Sequence, residues 1–181
     1  MNSIKIVALF GKAGAGKDTV QHYLSKEGVA NINPIVSCTT RPPREGEVEG
    51  ESYFFIDEET FYDKIASEDM LEFAAFRGWF YGTQKSSLST TAVNVGVFNI
   101  NGIKQLLKNP YIEVYPVLVE ASDKTRLIRQ LNRESNPDCK EIIRRFQTDE
   151  TDFANIDFEY RTHDNDSRFD ISDLTNWINS L

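Results

Sequence analysis

The chain begins with an apolar run that leads directly into a glycine-rich loop. Residues Ile4–Phe10 are almost all apolar, which is typical of a central parallel strand buried on both faces. The loop Gly11–Lys17 matches the pattern G-x-x-x-x-G-K, and residues 17–26 carry Val20 and Leu24 at helical spacing. A strand, a glycine loop and a helix in this order predict an α/β fold with a parallel sheet.

The loop also predicts phosphate binding. Its glycines let successive backbone N–H groups turn inward around a phosphate, and the start of the following helix adds partial positive charge. The Lys17 ammonium reaches the outer phosphates. The candidate phosphate-binding residues are Gly11, Ala13, Gly14, Ala15, Gly16, Lys17, Asp18 and Thr19.

One position departs from this pattern. Ser or Thr is expected after Lys17, where its hydroxyl ligates Mg²⁺, but the chain has Asp18 followed by Thr19. A carboxylate is also a hard oxygen ligand, so Asp18 is a candidate magnesium ligand. The alternative is a carboxylate that is merely favoured at the start of a helix.

Composition narrows the class of protein. The chain has 181 residues, 40% of them hydrophobic, and a net charge of −8, which fits one α/β domain and disfavours a general nucleic-acid binder. No segment approaches the ~20 apolar residues of a membrane span. Cys38 and Cys139 form no C-x-x-C pair, so we expect two free thiols in a cytoplasmic protein.

The middle of the chain departs from the alternation of strands and helices. Met70–Phe76 and Trp79–Tyr81 are aromatic-rich and flank Arg77-Gly78, which predicts a hairpin in an inserted, mostly antiparallel subdomain. Pro116 favours an edge position for its strand. The other predicted strands are Ile35–Ser37, Tyr53–Ile56, Val95–Ile100, Tyr111–Val119 and Phe158–Thr162, and the other predicted helices are 57–66, 102–108, 123–131, 140–153 and 170–181.

Two groups of arginines suggest anion binding elsewhere. Arg41 and Arg44 flank two prolines, so they can present paired guanidinium forks to one phosphate. Another five straddle a polar break at 132–138, as expected of a hinged helical lid; salt-bridged helix faces involving Glu134 and Glu141 are the alternative. These five are Arg126, Arg129, Arg133, Arg144 and Arg145.

The segment Ser37–Tyr53 follows the pattern S-x-T-T-R-x-P-R-x-G-E-x-x-G-x-x-Y. Together with the glycine loop and the later arginines, it resembles guanylate kinase over nearly the whole chain. The resemblance implies a nucleoside-monophosphate kinase fold, with a five-stranded parallel sheet, helices on both faces, an inserted mixed subdomain and a helical lid. It divides the chain into a core (1–36, 89–124 and 154–181), an insertion that binds the monophosphate (37–88) and a lid (125–153).

The resemblance also implies an activity and roles for residues. ATP with Mg²⁺ would phosphorylate GMP or dGMP, giving ADP and GDP or dGDP. Lys17, Arg145 and either Arg133 or Arg129 would reach the transferred phosphate. Arg41, Arg44, Tyr53 and Tyr81 would hold the GMP phosphate, and Ser37, Glu72, Thr83 and Asn101 would contact guanine, while the glycine loop would hold ATP.

The chemistry of Glu72 agrees with that role. A carboxylate accepts parallel hydrogen bonds from guanine N1–H and N2–H, whereas adenine has no N1–H, and a site of this kind discriminates strongly. The family usually ends its third core strand with Asp-x-Asp, where this chain has Asn99-Ile100-Asn101. We hypothesise that the carboxylate charge has moved to Asp18.

Two other functions stay open. The departures from the family pattern at Asp18 and Asn101 favour a kinase of broader deoxynucleotide specificity. A non-catalytic module that recruits a phosphorylated partner through Arg41 and Arg44 would usually lack the loop lysine and the lid arginines, which are present here. For an enzyme, we expect small nucleotides as partners, without nucleic acid or membrane, and a monomer or a homodimer.

Overall fold

A computed structural model describes residues 3–26, 31–44, 46–76, 78–133, 135–166 and 170–181. Arg77 and Glu134 lie outside these ranges. The strands are β1 (Ile4–Phe10), β2 (Ile32–Pro34), β3 (Cys38–Thr39), β4 (Phe54–Phe55), β5 (Met70–Phe76), β6 (Trp79–Gln84), β7 (Val93–Val97), β8 (Ile112–Glu120) and β9 (Arg161–Asp164). The helices are α1 (Lys17–Lys26), α2 (Glu58–Ala66), α3 (Ile100–Leu106), α4 (Asp123–Leu131), α5 (Cys139–Asp152) and α6 (Ser172–Ile178), with a 3₁₀ turn at Lys85–Ser87.

Five strands form a parallel sheet in the order β2-β7-β1-β8-β9. β1 lies at its centre, and its side chains alternate between two apolar layers. Val7 and Leu9 pack in the layer that contains residues of α1 and α6. Ile6 and Phe10 pack in the opposite layer, which contains residues of α3. The predicted α/β fold, with helices on both faces of a parallel sheet, is confirmed.

A second sheet, in the order β4-β3-β6-β5, is built from the middle of the chain. β3 pairs in parallel with β4, whereas the β3–β6 and β5–β6 pairs are antiparallel. Cys38, Phe61 and Met70 form its small apolar core. The insertion is therefore a mixed subdomain with a core of its own, and the predicted β5–β6 hairpin is confirmed.

Several predicted boundaries were wrong. Ile35–Ser37 is not a strand but the connection from β2 in one sheet to β3 in the other. The strand predicted at Val95–Ile100 ends at Val97, because Asn99 caps α3 by accepting a hydrogen bond from the Gly102 N–H. The last predicted strand lies three residues further along the chain, at Arg161–Asp164.

The edge position predicted from Pro116 was also wrong. β8 lies between β1 and β9, with Pro116 opposite Ala8 of β1. Pairing with β9 begins only at Val117, so Pro116 lies just outside the stretch of β8 that has a neighbour on both sides. Within the described ranges, no helix is long and apolar enough to cross a membrane.

Candidate active site

The glycine loop Gly11–Lys17 connects β1 to α1 and lies against the start of the lid region. Gly14 has φ +81°, a conformation that favours glycine. A Cβ atom at Gly14 would lie 2.7 Å from the carbonyl oxygen of Arg126. The loop therefore packs directly on the backbone of α4, and glycine is required at this contact.

Lys17 folds back over the loop. Its Nζ donates to the carbonyl oxygens of Gly11, at 2.9 Å, and of Lys12, at 3.3 Å. Burial lowers the pKa of Lys17, against the opposing charges of Asp18 and Asp149, and the nearby cation Arg133 lowers it further. The ammonium group thus lies over the glycine loop, with a lid arginine in its electrostatic field.

Asp18 and Thr19 are exposed in the first turn of α1. The charge of Asp18 raises the pKa of Lys17 and of Tyr53, although burial is the larger cause for Tyr53. Asp18 therefore interacts electrostatically with groups of both the glycine loop and the inserted subdomain. No group of three or more His, Cys, Asp or Glu side chains in the described ranges is arranged to hold a metal, so a magnesium ion at Asp18 would need phosphate oxygens and water as its other ligands.

Arg41 is buried in the insertion, with 6% of its surface exposed. Its Nη2 donates to both carboxylate oxygens of Glu47, each at 2.9 Å, and Nη1 donates to the Pro42 carbonyl. Its Cζ lies 5.6 Å from the centre of the Tyr53 ring. Tyr53 in turn packs edge-on against Tyr81, with 6.0 Å between ring centres, so three of the predicted phosphate ligands lie together.

Glu47 is a site residue that the sequence reasoning missed. Besides Arg41, it accepts a hydrogen bond from the Arg44 backbone N–H at 2.8 Å and lies 3.9 Å from Arg133 Nη2. Burial would raise the pKa of Glu47, but the donors from Arg44 and Arg41 outweigh it and lower the pKa. An acidic residue within six positions of two anion-binding arginines was the signal in the sequence that could have identified it.

Arginines of the insertion and of the lid are close enough to interact electrostatically. Burial lowers the pKa of Arg44, and Arg41, Arg145 and Arg133 lower it further. Arg145 Nε donates to Glu141 Oε1 at 3.0 Å. The insertion and the lid therefore contribute like charges to one region, which is the arrangement needed to surround a phosphate.

Arg129 lies elsewhere. Its Nη1 donates to the Ala15 carbonyl at 3.0 Å, and its Nη2 donates to the Asn165 carbonyl at 2.7 Å. Asn165 is buried and donates to the same Ala15 carbonyl at 2.7 Å. Of the two alternatives raised by the sequence, Arg133 lies near Lys17 and Glu47, whereas Arg129 attaches α4 to the loop backbone.

Three of the predicted base-reading residues lie together in the insertion. Ser37 Oγ and Thr83 Oγ1 are 3.2 Å apart, and Thr83 pairs with Glu72 across the β5–β6 hairpin. Burial raises the pKa of Glu72 to about 7, although Thr83 donates hydrogen bonds to it. Asn101 is exposed at the start of α3, next to Gly102, where a Cβ atom would lie 2.8 Å from Glu72 Oε2.

Comparisons with known proteins agree with this arrangement. The guanylate kinase family model matches residues 3–181. A guanylate kinase of Prochlorococcus marinus is 35% identical over 91% of this chain and 92% of that protein, and one of Fusobacterium nucleatum is 36% identical over 74% of this chain and 72% of that protein. The crystal structure of guanylate kinase from Anaplasma phagocytophilum has the same fold, with a TM-score of 0.67 and 21% identity over 99% of this chain and 84% of that one. This chain belongs to the guanylate kinase family.

Proposed function

We propose that this protein transfers the γ-phosphoryl group of ATP to GMP, giving ADP and GDP. The observation that carries the proposal is the position of Arg133, which is close enough to influence Lys17 and also approaches Glu47 among the arginines of the insertion. A glycine-lined anion site and an arginine-lined anion site therefore border one space. Phosphoryl transfer requires such positioning and cationic stabilisation, and little covalent chemistry from the protein.

The reaction needs no general base. An oxygen of the GMP phosphate is already anionic and attacks the γ-phosphorus in line, while the bond to the β,γ-bridging oxygen breaks and ADP leaves with its electron pair. Lys17, Arg133 and Arg145 would stabilise the charge on the migrating group. Closure of the lid would also exclude water, which otherwise hydrolyses ATP.

The GMP phosphate would be held by Arg41, Arg44, Tyr53 and Tyr81. The Arg41 guanidinium is buried and donates to Glu47 and to the Pro42 carbonyl, so it would contribute its positive charge to the phosphate site. At the base, the ionised Glu72 would accept from guanine N1–H and N2–H, with Ser37, Thr83 and Asn101 around it. The same pocket would accept dGMP, because none of these contacts involves the ribose 2′-hydroxyl.

Magnesium fits the residues of the glycine loop. The Asp18 carboxylate is exposed in the first turn of α1, directly after the loop, where it would hold a metal ion together with phosphate oxygens and water. The bound ion would neutralise charge on the ATP phosphates. Thr19 follows in the same turn and offers a hydroxyl to the same region.

The setting of the reaction follows from its substrates. Free nucleotides are the expected partners, and both cysteines are free thiols, which is typical of a reducing compartment. We therefore propose a cytoplasmic enzyme that works as a monomer or a homodimer.

The test is product formation by the purified chain. ATP, Mg²⁺ and GMP together should give GDP and ADP in equal amounts, and Lys17→Ala should remove the activity. No GDP above the Lys17→Ala level would contradict the proposal. Assays of dGMP, dTMP and dAMP in parallel separate a guanylate kinase from the broader deoxynucleotide kinase, which would phosphorylate all three at similar rates.

A further inference from the structure

Arg126 of α4 belongs to the arginines expected in a lid, yet its side chain is only 1% exposed. Its guanidinium pairs with Asp149 of α5 and with Asp123, whose Oδ1 lies 2.6 Å from Nη1. The ring of Phe146 covers it, with 4.4 Å between Cζ and the ring centre. A buried ion pair is costly to desolvate and contributes little net stability, so stability alone does not account for it.

The Arg126–Asp149 pair binds both backbone polar groups of one residue in the glycine loop. Asp149 Oδ2 accepts a hydrogen bond from the Ala13 N–H at 2.9 Å. Arg126 Nε donates to the Ala13 carbonyl oxygen, also at 2.9 Å. The pair therefore fixes the position of Ala13 from the lid side, next to the close contact between Gly14 and the α4 backbone.

Such an anchor matters because the loop is intrinsically flexible. Gly11, Gly14 and Gly16 all have φ angles in the region that favours glycine, and glycine loses more conformational freedom on ordering than any other residue. If the loop became ordered only when nucleotide binds, the free energy needed to order it would weaken nucleotide binding. Arg126 and Asp149 also lie close enough to influence the pKa of Lys17, so they border the anion site itself.

We propose that Arg126 and Asp149 are positioning residues for ATP. They act through the Ala13 backbone, whose N–H and carbonyl groups they occupy, and so hold the rest of the loop in place for the phosphates before any nucleotide arrives. This inference rests on the proposed function, because it takes the glycine loop as the ATP site.

The test compares Asp149→Ala, Arg126→Leu and the double variant with the wild type. We expect the KM for ATP to rise about tenfold in each variant. The free energy needed to order the loop on binding would then oppose ATP binding, and it corresponds to about a factor of ten in affinity. The KM for GMP should stay within about twofold, because the pair does not contact the insertion. Calorimetric titration of a non-hydrolysable ATP analogue with Mg²⁺, in the absence of GMP, should show the same tenfold loss of affinity.

The double variant separates an effect on ATP binding from an effect on folding. Arg126→Leu leaves the Asp149 carboxylate without its partner, and Asp149→Ala leaves the buried Arg126 paired with Asp123 alone. The double variant Arg126→Leu with Asp149→Ala removes both buried charges and should restore the thermal unfolding midpoint. A purely structural pair would then recover ATP affinity as well; a positioning pair would not. Asp152→Ala, an exposed acidic residue at the end of α5, is the matched control and should leave both KM values unchanged.

Three results would overturn the role. A folded double variant that binds the analogue as tightly as the wild type would show that the Ala13 contacts do not serve ATP. An equal rise in the KM for ATP and the KM for GMP would indicate that the substitutions disturb the whole structure and not the ATP site alone. Failure of the wild type itself to bind the analogue would refute the proposed function, and this role with it, whereas loss confined to the variants supports both.

Discussion

At the scale of single residues, Glu72 is placed where its proposed role and its burial oppose each other. Only 6% of its surface is exposed, and burial raises its pKa to about 7. Recognition of guanine requires the ionised form, which accepts two hydrogen bonds. The residue type was recognisable in the sequence, but its burial was not, because burial depends on the approach of Gly102 from a different part of the chain.

Glu72→Gln should therefore weaken guanine recognition. The amide cannot accept both hydrogen bonds, so kcat/KM for GMP should fall roughly 100-fold or more. In the wild type, kcat/KM for GMP should decline as the pH falls below about 7, because Glu72 becomes protonated. Steady-state kinetics between pH 5.5 and 8.5, about one and a half units on either side of that pKa, would measure both effects. An unchanged profile in the variant would contradict the assignment.

The same substitution should stabilise the protein at high pH. The pKa of Glu72 is higher in the folded protein than in the unfolded chain, so stability is full below the unfolded value and is lost as the pH rises through about 7. At pH 8, the free energy of unfolding of Glu72→Gln should exceed that of the wild type by up to about 3 kcal/mol, and the difference should shrink towards pH 5. Denaturant unfolding measures it, with the exposed Glu59→Gln as the control.

Asp18 carries a second prediction at this scale. If the carboxylate charge has moved from the end of the third core strand to the glycine loop, Asp18→Ser alone should abolish magnesium-dependent turnover, even though serine is the usual residue there. The variant should still bind GMP with the affinity of the wild type. Titration of Mg²⁺ in the kinase assay provides the measurement, and near-normal activity in Asp18→Ser would refute the relocation.

At the scale of helices and strands, local signals predicted what local interactions determine. The sequence offered Asp57 or Thr60 as the cap of α2, and the cap is Asp57, which accepts a hydrogen bond from the Thr60 N–H. The connection Ile35–Ser37 was misassigned because its apolar pattern reflects contact with the core, where Ile35 is 4% exposed, and not pairing within a strand. Arg126 could not be separated from the other arginines, because only tertiary contact with Asp149 buries it.

Helix α5 offers two adjacent arginines with different surroundings. Both pair with Glu141, but the Arg145 side chain is 17% exposed and lowers the pKa of Arg44, whereas the Arg144 side chain is 42% exposed and also contacts Thr148 of its own helix. Arg145→Ala should reduce kcat by about 10³-fold, the size of effect expected for an arginine that stabilises transferred charge. The KM values should change much less.

Arg144→Ala is the matched control for that prediction. It removes the same charge one residue away and should retain nearly full activity, because pairs at this spacing on an exposed helix contribute about 0.5 kcal/mol or less. Initial rates at saturating ATP and GMP make the comparison. Equal losses in the two variants would mean that the helix as a whole matters, and that Arg145 has no special position.

At the scale of the whole molecule, net charge and local charge have opposite signs. The chain carries −8 overall, yet arginines of the insertion and the lid converge around one space. At physiological salt, exposed charges are screened over a distance of about 8–10 Å. Acidic side chains farther away than this therefore repel a small anion only weakly, and the attraction of the nearby arginines is the larger effect. Composition disfavours a general nucleic-acid binder, but only the fold brings Arg133 and Arg145 into electrostatic contact with Arg44.

This arrangement predicts how substrate stabilises the molecule. GMP at a hundred times its Kd should add about 2.7 kcal/mol to the free energy of unfolding. For a chain of this length, that gain raises the unfolding midpoint by roughly 5–10 °C, because 1 kcal/mol corresponds to about 2–4 °C.

Differential scanning calorimetry with GMP, AMP and inorganic phosphate at equal concentrations tests this prediction. GMP should stabilise most, because Glu72 adds base recognition to the phosphate contacts. Equal shifts for GMP and AMP would contradict guanine selectivity, and a shift as large with phosphate alone would favour a module that recognises only the phosphate group.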